Sequence, residues 1–369
     1  MIAFEPTDEQ RLMVETVRQF AHEQMRERAH AADEARALPT DVIAGAWELG
    51  LIPSNIPEAY GGFGERHSAL TGVLTAEALG EGDLAMALAT LAPNLVAVPL
   101  LECGTEAQKE TLLPGFTGDA PPRAAAALIE PTWNFDPCHL KTVAHRDGEH
   151  YVLTGRKAYV PLADQADLLL VYAHDAERDV PAAFFIQRNS EPPGGLGVGP
   201  REKLMGVQAL PTFGLTLDEV SVPPAARLGG EKGFNLEKLL NYSRVALAAL
   251  ATGVGKAAYE YALNYAKERE AFGKPIAQFQ AIAFMLAEMA IEVEAMQLHA
   301  WKAAWALDQG QAATQAAVLA KQYADEAVLT IADRAVQILG GHGYIREHPV
   351  ERWLRDARGF ATFTGLAMV

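Results

Sequence analysis

Cysteine is scarce in this chain: Cys103 and Cys138 are the only two in 369 residues. Two thiols cannot build the multi-bridge framework of a small secreted domain, and without an export signal they read as a reducing compartment. Basic charge is also short. The 31 Lys and Arg stand against 47 Asp and Glu, a formal net charge of −16. That balance, with no basic stretch, argues against nucleic acid or an anionic membrane as partner. An anionic ligand stays open, because local cations decide such binding. Long hydrophobic runs are missing too. The longest, Leu84 to Leu101, is interrupted by Pro93, Asn94 and Pro99, so no membrane span is expected. Met1 to Glu15 carries early acids instead of the basic-then-apolar layout of a signal peptide. Low-complexity tracts and short repeats are absent. Cys138 and His139 have no companions at metal-ligand spacing, so no metal is expected. These absences leave a cytoplasmic chain with no membrane and no nucleic-acid partner as the expectation.

What is present is apolar content. Half of the residues are hydrophobic, enough at this length for more than one core. The texture changes twice along the chain. Residues 1–120 read as a helical domain. Thr7 and Gln10 have capping-box spacing before Leu12, Val14, Val17 and Phe20. Pro39 and Asp41 precede a helix with Val42, Ile43 and Trp47, and Ile56 to Gly64 is a turn-rich loop. Residues 121–228 read as a small β-barrel domain. Tyr151–Leu153, Leu168–Tyr172, Ala183–Ile186 and Phe213–Leu217 are β-type runs, separated by turn signals at Asp147-Gly148, Pro192 to Gly199 and Pro223-Pro224. Residues 229–369 read as a four-helix bundle. One helix is rich in small residues from Ala246 to Gly255, which allows close helix approach. The next is expected to start at Pro275 and run to about Asp308, with Met289, Val293, Met296 and Ala300 at helical spacing. A third runs from Gln311 to about Leu339. The fold class is therefore α+β, with helices, then a β-barrel, then a bundle.

Two C-terminal segments are specific. The first is Tyr265-Ala-Lys-Glu-Arg269-Glu-Ala-Phe272-Gly-Lys-Pro-Ile276, continuing to Gln278-Phe279-Gln280. The second is Gln337-Ile-Leu-Gly340-Gly341-His-Gly-Tyr344, followed by Glu351-Arg352 and Arg355-Asp356-Ala357-Arg358. Both, at this separation, resemble the acyl-CoA dehydrogenase family, and Ile56 to Gly64, Glu130-Pro131 and the three-part order match it as well. The resemblance implies FAD bound across a subunit interface, an acyl-CoA substrate and electron-transfer flavoprotein as acceptor. By position it places Arg269 on the FAD pyrophosphate, where a guanidinium fork pairs with phosphate oxygens. Phe272 and Gln280 belong to the same cofactor-binding segment, Gln337, Gly340 and Gly341 fall at the adenosine half, and Arg244 falls near the thioester end of the substrate. Taken alone, Arg269 also fits a surface ion-pair partner, the two glycines a helix terminus, and His342 and His348 hydrogen-bonded structural residues.

The pattern then breaks. The resemblance implies a carboxylate that removes the substrate α-proton while hydride leaves the β-carbon for the flavin. Its usual place, nine residues after Arg355, holds Thr364; the alternative place, just before Arg244, holds Ser243. A neutral hydroxyl at either position is a poor base without a further partner. The loop expected at the flavin ring reads Ile129-Glu130-Pro131-Thr132-Trp133-Asn134-Phe135-Asp136, so bulky side chains are expected to occupy cofactor space. Pro161 stands where a threonine hydroxyl is expected near flavin N5 and brings neither a hydroxyl nor an N–H. The segments that would serve a neighbour's FAD are intact, and those that would serve the chain's own are eroded. The resemblance thus points to the base-lacking subunit of a hetero-oligomer, completing the FAD site of a catalytic acyl-CoA dehydrogenase. A homo-oligomeric enzyme with a relocated base is the alternative; Glu77, Glu81 and Glu130 are the acids to weigh, against plain readings as helix surface or structural turn. A non-catalytic scaffold of the same fold is the third reading.

Overall fold

The computed structural model describes residues 5–188 and 194–369. The capping box at Thr7 and Gln10 forms and starts α1 (Asp8–Phe20), which continues through a wide turn at Ala21–Arg26 into α2 (Glu27–Ala35). Then follow α3 (Thr40–Glu48), α4 (Ala69–Gly82), α5 (Leu84–Leu91), α6 (Asn94–Cys103) and α7 (Glu106–Leu112). The run Leu84–Cys103 is long and apolar enough to cross a membrane by composition, contrary to expectation. Here it is two core helices, buried from Leu84 to Leu100.

Seven strands follow: β1 (Ala124–Ala127), β2 (Val143–Asp147), β3 (His150–Pro161), β4 (Leu168–Asp175), β5 (Val180–Gln187), β6 (Leu196–Arg201) and β7 (Thr212–Val222). They form one sheet in the order β1-β4-β2-β3-β7-β6, with β5 on β4. The sheet curls around its own core of Tyr151, Leu153, Leu169, Val171, Phe184, Ile186, Leu215 and Leu217, while β1 and β6 stay at opposite ends of the ladder. The turn expected from Pro192 begins at residues 192 and 193, which lie outside the described ones.

The C-terminal third consists of α8 (Leu236–Glu268), a two-residue ladder of β8 (Glu270–Ala271) with β9 (Lys274–Pro275), α9 (Gln280–Asp308), α10 (Thr314–Leu339), the single turn α11 (Gly341–Tyr344) and α12 (Val350–Ala357). α8, α9, α10 and α12 pack as a bundle, and α4 lies against α8 and α9. Glycine makes the α4–α8 contact possible. A Cβ at Gly253 would sit 2.2 Å from the carbonyl oxygen of Glu77, and one at Gly80 would sit 2.8 Å from that of Leu250. On α9, Met289, Val293, Met296 and Ala300 are buried at the expected spacing. The opposite face leaves Phe284, Ile291 and Leu298 exposed at 59, 67 and 43%.

One junction ties the three parts together. The Asp356 carboxylate on α12 accepts the Val207 N–H at 2.6 Å. Arg355 donates to Asp33 on α2 at 2.7 Å and to the Met205 carbonyl at 3.2 Å. Burial, with Asp83 nearby, pushes the Asp356 carboxyl up to about 7. An unfolded aspartate ionises at about 3.9. The folded chain therefore holds a proton that the unfolded chain releases, and stability from this group is lost as pH rises from about 4 to 7. Asp356→Asn keeps an oxygen for Val207 and cannot ionise. Thermal melts across that window are expected to fall less steeply with pH for the variant; parallel curves would rule the assignment out.

Candidate functional site

The hairpin after α8 presents the first of the two specific segments. Phe272 and Gly273 form its two-residue turn, both with positive φ, at 52° and 81°. That is the backbone of a tight hairpin turn, where a glycine is at ease and a phenylalanine is strained. Phe272 is 98% exposed, with its ring edge-on to Phe279 at 6.3 Å. Pro275 therefore closes this hairpin and does not open α9, which begins at Gln280; the local turn chemistry overrides the helix-start reading. Arg269 is exposed, and among the described residues it makes no ion pair. Gln280, Gln337, Gly340 and Gly341 are exposed as well. Gly340 has φ 59° and ψ −127°, and a Cβ at either glycine would meet nothing within 4 Å.

The two positions at which the resemblance expects a base lie close together. The Ser243 hydroxyl, 1% exposed, accepts the backbone N–H of Gly365, the residue after half-buried Thr364, at 3.0 Å. The chain then runs inward. Leu366, Ala367, Met368 and Val369 are buried, the Met368 carbonyl accepts from Asn94 at 3.2 Å, and Val369 packs on Gly72. Arg244 donates to Asn241 at 2.6 Å and is bound to Glu237. No carboxylate of this chain hydrogen-bonds the Ser243–Gly365 seam among the described residues.

Glu77 and Glu81 are not on a helix surface; both are buried in α4. Glu77 accepts from Gln297 at 2.5 Å and from Trp301 at 3.2 Å, and burial pushes its carboxyl up. For Glu81, burial is outweighed by His22, Lys256 and Arg18, which hold its carboxyl at about 2. Glu130 accepts from the backbone N–H of Lys141 and Thr142 at 2.6 and 2.7 Å and from the Lys157 amine at 2.9 Å. All three acids are engaged in holding elements together. In the loop expected at the flavin ring, Trp133 is 98% exposed, whereas Phe135 packs on the main core. Pro161 is buried at the end of β3 opposite Thr212, between the positive-φ residues Tyr159 and Leu162. Sequence reasoning missed Lys321 and Asp325, paired at 2.6 Å one helical turn apart. Asp325 lines a cavity of about 670 Å³ that also touches Ala357, Arg358 and Ala361. Their i, i+4 spacing was the available signal.

A helical layer, a curled sheet and a helical bundle in this order define an acyl-CoA dehydrogenase-type architecture. The acyl-CoA dehydrogenase N-terminal, middle and C-terminal domain models match residues 7–119, 125–220 and 231–367. A caffeyl-CoA reductase–Etf complex subunit of Acetobacterium woodii is 36% identical, over 98% of this chain and 96% of that protein. A probable acyl-CoA dehydrogenase of Bacillus subtilis is also 36% identical, over 96% and 94%. The structure of butyryl-CoA dehydrogenase from Megasphaera elsdenii superposes with a TM-score of 0.89 at 30% identity, covering 100% of this chain and 96% of that one. The chain belongs to the acyl-CoA dehydrogenase family, flavoprotein oxidoreductases acting on CH–CH bonds.

The residues fit FAD unevenly. An arginine that makes no ion pair among the described residues, an exposed aromatic three residues on, and two glycines with open space around them suit a phosphate and a close-lying nucleoside. Where the resemblance expects the chain's own flavin ring, Trp133 faces solvent in its loop and Pro161 is buried at the end of β3.

Proposed function

We propose that this chain is the non-catalytic subunit of a heteromeric acyl-CoA dehydrogenase, completing the FAD site of a catalytic partner. Arg269 would hold the pyrophosphate, Phe272 and Gln280 would pack beside it, and Gln337, Gly340 and Gly341 would take the adenosine half. FAD supplies the hydride acceptor; the base and the acyl-CoA thioester belong to the partner subunit. The observation that carries this reading is the Ser243–Gly365 hydrogen bond. It ties Ser243 to the residue after Thr364, and among the described residues no carboxylate hydrogen-bonds this pair to serve as the base. The engagement of Arg244 with Glu237 and Asn241 supports the same reading, since its guanidinium already has partners. An electron-transfer flavoprotein as acceptor and a cytoplasmic setting belong to this proposal.

The test is the visible spectrum of the chain expressed alone and incubated with FAD. A colourless protein is expected, gaining flavin absorbance only on co-expression with a catalytic relative. One FAD per chain, with acyl-CoA oxidation, would overturn the proposal and favour a homo-oligomer with a base elsewhere.

A further inference from the structure

The α11 turn, Gly341–Tyr344, is too short to hold itself, since a single helical turn fixes several dihedrals for one or two hydrogen bonds. Its anchorage comes from α8. Tyr261 and Tyr265 lie one helical turn apart on the same face. The Tyr265 hydroxyl pairs with Nδ1 of His342 at 2.8 Å, and the Tyr261 hydroxyl pairs with Nδ1 of His348 at 2.7 Å. The two imidazoles stack, with centroids 5.3 Å apart and planes 14° from parallel. Tyr265 also meets His348 edge-on at 5.9 Å, and Tyr261 meets buried Trp353 edge-on at 5.8 Å. On the other side, Gly343 fits against α10 only because it lacks a Cβ, which would lie 2.3 Å from the Val336 carbonyl oxygen. Two tyrosines, two histidines and a tryptophan thus bracket the stretch from residue 342 to 348, and Gly340 and Gly341 lie just before it.

We infer that Tyr261, Tyr265, His342 and His348 form a clamp that positions Gly340 and Gly341 for the adenosine half of the partner's FAD. The inference rests on the proposed function above. Their role in this proposal is positioning: they act through the backbone they hold. Losing both phenol hydroxyls frees the turn while keeping every ring, so cofactor retention changes more than folding does.

The experiment uses the flavin-bearing complex obtained by co-expression and follows the rate at which FAD fluorescence appears on dilution. The double variant Tyr261→Phe/Tyr265→Phe is expected to release FAD roughly tenfold faster, the size of effect that two modest hydrogen bonds allow. His342→Asn keeps an oxygen near the place of Nδ1 and is expected to release at the parent rate. His342→Leu keeps bulk without an acceptor and is expected to release fast. Equal rates for His342→Asn and His342→Leu, or an unchanged rate in the double phenylalanine variant, overturn the clamp. Arg269→Ala, run alongside, separates the two ideas. If it speeds release and the clamp variants do not, only the clamp fails; if it leaves release unchanged, the underlying reading fails.

Discussion

Replacing Arg269 with alanine is expected to strip FAD from the assembled complex without unfolding this chain. The side chain is exposed and makes no ion pair among the described residues, so its removal leaves no buried partner stranded. A guanidinium–phosphate pair is charge-assisted and contributes about 1.5–3 kcal/mol, equivalent to roughly 10- to 100-fold in FAD affinity. Flavin absorbance per complex, read after gel filtration, should fall to a small fraction of the parent value. The melting temperature of the isolated chain should stay where it was. Arg269→Lys keeps charge but not the fork and should fall between the two. Full flavin content in Arg269→Ala would mean that the arginine is surface decoration and would favour a scaffold reading of the whole chain.

A large stability loss is expected from Gly253→Val. A Cβ there meets the Glu77 carbonyl oxygen at 2.2 Å, with the Glu81 nitrogen at 2.8 Å. Both are backbone atoms of α4, so relief requires α4 and α8 to separate. Overpacking a core costs about 1–3 kcal/mol when side chains give way. Here backbone must move, so a loss at or above ~3 kcal/mol is expected, seen as a drop in melting temperature of several degrees. Gly255→Ala is the control on the same helix. Its Cβ would meet only flexible side-chain ends, Ile331 at 3.3 Å and Met296 at 3.7 Å. The gain in helix propensity should offset that contact. If Gly253→Val melts with the parent, the close approach of α4 to α8 is wrong.

The sequence showed the helices with strong caps or clear periodicity and the strands rich in branched and aromatic residues. It hid β1, whose four alanines carry no strand signal yet pair in register with Leu168 to Val171. It misplaced the start of α9 because Pro275 looks like a first-turn proline, whereas the positive φ of Phe272 is invisible in a residue name. Glu77 and Glu81 read as solvent-facing because their partners Gln297, Trp301 and Lys256 are far along the chain. The positions Arg269, Gly340 and Thr364 could be singled out only through the motifs that resemble the acyl-CoA dehydrogenase family. That Ser243 and Gly365 meet, and that Arg244 turns to Glu237, depends on how α8 meets the segment after α12, and no single stretch of sequence records that.

The exposed row of Phe284, Ile291 and Leu298 on α9 has a colloidal consequence. Copies of a chain carrying net charge −16 repel one another in dilute buffer. Added salt shortens the reach of that repulsion to a few ångströms, and salting-out anions at the same time strengthen apolar association. The isolated chain should therefore be one that sulfate draws into clusters and low ionic strength disperses, the reverse of a protein held together by surface ion pairs.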